Sequence, residues 1–69
     1  MKISARNQVR ATVKEVHPGA VNTEVVLEVG PNILITAMIS KTSAERLQLK
    51  VGKSAYAIIK ASDVMVGVD

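Results

Sequence analysis

Two short stretches near opposite ends of the chain hold the residue types that could do chemistry: Ser4-Ala5-Arg6-Asn7-Gln8 and Lys60-Ala61-Ser62-Asp63. Each sets a fixed positive charge among hydroxyls and small residues at the edge of a β-rich run. Arginine offers planar directional donors, lysine a compact charge, and serine a donor that rotates to suit. A pocket rich in donors and poor in acceptors suits a fully ionised oxyanion. Two other places could contribute. Ser40 and Ser43 stand where a strand runs into a helix, whose first N–H groups are free for an anion. Gly19-Ala20-Val21-Asn22 is a turn that could present backbone N–H groups as a nest.

Each of these has a plainer reading. Most arginines end in solvent, Ser40 or Thr42 would serve as a helix cap, and the Gly19 turn is the ordinary end of a hairpin. Lys60 shares a strand face with Tyr56 and Ile58. Its ammonium either reaches solvent along that face or meets a negative partner, since an unpaired buried ammonium is costly. A catalytic set is not expected, because His17 is the single histidine, cysteine is absent, and Asp63 and Asp69 stand apart. One histidine cannot build a zinc site, and Met1, Met38 and Met65 read as packing residues. No metal is expected to be ligated directly.

The elements that must position these residues follow from the apolar spacing. Gln8–Val16 and Val21–Val29 alternate with period two, and Ile33–Ser40 is a third strand, apolar on both faces. His17-Pro18-Gly19-Ala20 and Gly30-Pro31-Asn32 punctuate them as turns. Thr42-Ser43-Ala44-Glu45 reads as a capping box opening a short helix to about Leu49. Ser54–Ala61 is then a fourth strand and Asp63–Val68 a fifth. The order predicts an all-β fold: a five-stranded OB-like barrel with one short helix between strands three and four. A single domain spanning residues 1–69 is expected.

Composition narrows the partners. The chain is 48% hydrophobic, with eleven valines and six isoleucines in 69 residues, more than so small a core can cover. Self-association is therefore expected. A net charge of +3 favours anionic partners. Nucleic acid is disfavoured because Tyr56 is the only aromatic residue and single-strand binders stack bases on several. No apolar run is long enough to cross a membrane. Met1-Lys2-Ile3-Ser4 leads straight into polar residues, which predicts a cytoplasmic protein.

Ser4-Ala5-Arg6-Asn7-Gln8, Gly19-Ala20-Val21-Asn22, Ile35-Thr36-Ala37-Met38-Ile39-Ser40 and Lys60-Ala61-Ser62-Asp63-Val64 together resemble the molbindin, or Mop, family of small molybdate- and tungstate-binding proteins. The resemblance covers essentially the whole chain. It implies an OB-like fold, a homohexamer built as a trimer of dimers, and oxyanions held at subunit interfaces in two kinds of site. The first would take Ser4, Ala5 and Arg6 from one subunit and Lys60, Ala61 and Ser62 from its neighbour, with Ser40 and Ser43 nearby. The second would draw on Gly19, Ala20, Val21 and Asn22. Molybdate or tungstate would be the bound ligand, in a storage or buffering role. Two other classes compete with this reading: an OB-fold nucleic-acid-binding domain, and a pure oligomerisation module in which Arg6 and Lys60 pair with Glu24, Glu28 or Asp63.

Overall fold

Apolar and polar residues alternate through Ala11-Thr12-Val13-Lys14, a pattern that an extended strand divides between a covered face and a wet one. In the computed structural model, which describes residues 1–69, this stretch lies in β1 (Asn7–Pro18). Ala11 and Val13 are buried while Thr12 and Lys14 are exposed. β2 (Asn22–Gly30), β3 (Ile33–Ser40), α1 (Lys41–Arg46) and β4 (Ser54–Ile59) follow, and a 3₁₀ turn at Ala61–Asp63 is the last element. All three strand pairings are antiparallel, in the order β3-β2-β1-β4. Ala11, Val13, Val25, Leu27 and Ala57 form the core. Register breaks between Val13 and Glu15, and between Glu28 and Gly30, mark two bulges, which bend and twist the strands that carry them.

The fold is small, all-β and OB-like with one short helix, but the sheet has four strands and stays open. This corrects the expected five-stranded barrel. Val64, Val66 and Val68 keep the alternation of a strand, yet Met65, Val66 and Val68 are 92%, 91% and 94% exposed and lie in no ladder. A strand exists through hydrogen bonds to a neighbour, and no neighbour in this chain takes the segment. The free edges of β3 and β4 flank a groove of about 380 Å³ lined by Ile35, Ala37, Ile39, Tyr56, Ile58 and Ile59.

The helix is capped two residues before Thr42, the cap of the expected capping box. Ser40, not Thr42, caps it: the Ser40 hydroxyl accepts from the Ser43 N–H at 3.0 Å and donates to the Ser43 hydroxyl at 2.8 Å. The reason lies in the ladder. Ser40 still pairs with Asn22, and the Lys41 N–H donates to the Val21 carbonyl. The chain thus passes from strand to helix with no intervening loop in which Thr42 could act as a cap. At the other end Gln48 adopts φ 53°, and the Lys53 ammonium donates to the carbonyls of Leu47 at 2.7 Å and Gln48 at 3.2 Å. Those carbonyls would otherwise be orphaned at the helix terminus.

Thr23, beside the first turn, is 1% exposed and its hydroxyl has no hydrogen-bond partner. Burying an unsatisfied hydroxyl is unfavourable. Thr23→Val keeps the shape and removes the polar atom, so it is expected to stabilise the fold by about 1 kcal/mol. For a domain of this size that is a rise of roughly 5 °C in Tm, read by thermal denaturation. An unchanged or lowered Tm would show that the hydroxyl is satisfied in solution. No helix is long and apolar enough to cross a membrane.

Candidate functional site

The β1–β4 ladder ends at the pair Asn7 and Ile59. One residue beyond it, Arg6 and Lys60 leave the sheet side by side. Ser4 and Ala5 precede the one, and Ala61 and Ser62 follow the other. The resemblance implies that the two segments meet across a subunit interface; within one chain, the ladder also brings their main chains next to each other. Ser4, Arg6, Lys60, Ala61 and Ser62 are exposed and Ala5 is half-buried, so the donors face outward and a second surface would be needed to enclose them.

Neither cation at this end is neutralised. Side-chain ion pairs form only between Lys14 and Glu28, at 3.9 Å, and between His17 and Glu15, at 2.7 Å. Pairing of Arg6 or Lys60 with Glu24, Glu28 or Asp63 is thus not found within the chain. The neighbouring backbone acceptors, in contrast, are engaged. The Asn7 side-chain amide donates to the Ile59 carbonyl at 3.2 Å, and that of Gln8 to the Ala5 carbonyl at 3.3 Å. In the 3₁₀ turn the Asp63 N–H donates to the Lys60 carbonyl at 2.9 Å and the Val64 N–H to the Ala61 carbonyl at 3.3 Å. Farther along the ladder Arg10 pairs with Tyr56. Its guanidinium donates to the phenol oxygen at 3.1 Å and lies 5.6 Å from the ring centroid.

Ser40 and Ser43 are not brought to this place. Ser40 pairs with Asn22, and Pro18 pairs with Thr23, which puts both serines at the opposite end of β1, beside the Gly19–Asn22 turn. Within one chain they therefore lie beside the second candidate site and away from Arg6 and Lys60. Gly19, Ala20, Val21 and Asn22 are all exposed there. The Gly19 N–H donates to the Asn22 carbonyl at 2.7 Å, and a Cβ at Gly19 would sit 2.7 Å from that same oxygen. The turn is closed to any larger residue.

No group of three or more His, Cys, Asp or Glu side chains gathers to hold a bare cation. The arrangement offers cations, hydroxyls and N–H groups, the donor chemistry of an oxyanion site. Asn7 and Gln8 belong to the motif quoted from the sequence, but no role attaches to them there. A pair of adjacent carboxamides opening a strand is the signal that points to them.

Comparison with known proteins places these features in a family. The TOBE domain model matches residues 3–66. A Haemophilus influenzae protein named "Probable molybdenum-pterin-binding protein" is 46% identical over 69 residues, covering 100% of both chains. Among solved structures, MopII from Clostridium pasteurianum superposes with a TM-score of 0.90 at 42% identity, covering 97% of this chain and 100% of its own. The cytoplasmic molybdate-binding protein ModG, solved with molybdate bound, gives a TM-score of 0.93 at 46% identity, covering 100% of this chain and 49% of ModG.

Proposed function

Because the chain belongs to the TOBE-domain family and, within it, to the Mop molybdenum-pterin-binding proteins, we propose that it binds molybdate or tungstate as the intact oxyanion, reversibly and without turnover. The observation that carries this reading is the end of the β1–β4 ladder, where two cations outside any ion pair adjoin with serines on either side. Residues 1–69 act as one oxyanion-binding domain. The first site uses Ser4, Ala5, Arg6, Lys60, Ala61 and Ser62. The second uses Gly19, Ala20, Val21 and Asn22, with Ser40 and Ser43 beside it. The outward-facing donors and the unpaired C-terminal segment support closure of these sites by further copies, in a homohexamer. The cytoplasmic, molybdate-bound relative supports a store or buffer in the cytoplasm.

Selectivity follows from the same chemistry. A site of donors alone disfavours an anion that carries a proton, whose hydroxyl would find no acceptor, so phosphate binds weakly at neutral pH. Sulfate lacks the proton and is rejected by size, the donors being spaced for the larger tetrahedron. Isothermal titration with molybdate, tungstate, sulfate and phosphate tests this. The first two are expected to bind at least tenfold more tightly than the others, a difference of about 1.4 kcal/mol. Equal affinity for sulfate would overturn the selectivity.

A further inference from the structure

We propose that Asn7 and Gln8 are positioning residues that keep the oxyanion site free of acceptors, each side-chain amide occupying a backbone carbonyl that flanks the site; the inference rests on the function proposed above. An oxyanion is repelled by carbonyl oxygens as well as by carboxylates, so a site for one must engage or turn away the carbonyls of the segments that form it. Of the carbonyls around the site, those of Ala5, Ile59, Lys60 and Ala61 accept hydrogen bonds. The 3₁₀ turn closes on its own carbonyls at Lys60 and Ala61. The other two depend on side chains. Gln8 reaches back three residues to Ala5 on its own arm, and Asn7 reaches across the ladder to Ile59, the residue before Lys60.

These two contacts also fix geometry. The Asn7 bond spans 52 residues of sequence and ties the start of β1 to the end of β4, which sets the spacing between the Ser4–Arg6 and Lys60–Ser62 segments. The Gln8 bond folds the N-terminal arm over the first residues of its own strand. Both require a carboxamide. An ionised carboxylate at either position could only accept, leaving the carbonyl facing the site and adding a negative charge beside Arg6 and Lys60.

The test compares wild type with Asn7→Ala and Gln8→Ala by calorimetric titration of molybdate and of sulfate, with amide hydrogen exchange on the ligand-free proteins. Each substitution is expected to raise the molybdate Kd roughly threefold to tenfold, the scale of one net hydrogen bond, and to narrow the preference for molybdate over sulfate. A purely structural role would lower the apo Tm without changing that preference. Exchange at the Asp63 and Val64 amides, which are hydrogen-bonded in the 3₁₀ turn, is expected to quicken in Asn7→Ala. Gln8 is exposed, so its variant remains informative if Asn7→Ala fails to fold. Wild-type affinity and preference in both variants would overturn the inference. A wild-type protein that binds neither molybdate nor tungstate overturns the proposed function instead. Unchanged exchange at Asp63 and Val64 in Asn7→Ala overturns the Asn7 role whether or not the wild type binds.

Discussion

Lys60→Ala and Arg6→Ala are each expected to weaken molybdate binding roughly tenfold to a hundredfold while leaving the apo protein folded. A hydrogen bond to a charged group contributes about 1.5–3 kcal/mol, and each substitution removes at least one. The apo fold has little to lose. Both side chains belong to exposed residues outside any ion pair, and neither lies in the core. Removing one of two like charges carried on neighbouring segments costs no favourable contact within the chain, so the apo Tm should hold or rise. Ligand that binds only the folded assembly stabilises it by about 2.7 kcal/mol per site at a hundredfold excess over Kd. Most of the resulting Tm rise should disappear in either variant. The measurements are calorimetric titration and melting with and without molybdate. A molybdate-induced rise that survives both substitutions would put the anion elsewhere.

The double substitution Val66→Asp/Val68→Asp is expected to reduce the proposed homo-oligomer to smaller species and to abolish stabilisation by molybdate. The two valines lie on the apolar face of a segment that alternates like a strand and finds no ladder within its own chain. Fully burying such a side chain against another copy contributes about 1.5–3 kcal/mol, and in a symmetric oligomer the contribution recurs at each copy. A carboxylate there would be desolvated without a partner. In the isolated chain, by contrast, both positions are more than nine-tenths exposed, so the fold of the single chain should survive. Sedimentation or light scattering reads the mass, and far-UV circular dichroism reads the retained sheet. A wild type that is already monomeric would overturn the proposed assembly, and an unchanged oligomeric mass would move the interface to other surfaces, such as exposed Leu34 and Met38 on β3.

Period-two alternation made β1 and β2 legible because their faces are unequally covered, whereas β3 was legible as a short run apolar on both faces. Val13 and Val25 could go only inward, and Lys14 only outward. The helix was legible from its Ser/Thr-rich start, yet the choice between Ser40 and Thr42 as its cap was not. Cap identity depends on where the ladder releases the chain, and the pairing of Ser40 with Asn22 is a long-range fact. The fifth strand failed for a related reason: alternation records that a segment can pair, not whether its partner lies in the same molecule. Among the site residues, the motifs around Arg6 and Lys60 stood out by type. Their adjacency did not, because it follows from the β1–β4 register across more than fifty residues of sequence. Within one chain the same register separates them from Ser40 and Ser43, which the resemblance alone sets near the same site.

Tyr56 gives the molecule an optical property. With no tryptophan in the chain, this one phenol accounts for all of its near-ultraviolet emission. That phenol touches the Arg10 guanidinium on the strand pair that ends at Arg6 and Lys60. The protein therefore carries a built-in, unlabelled chromophore on the same ladder as its candidate anion site, with no second fluorophore to mask it.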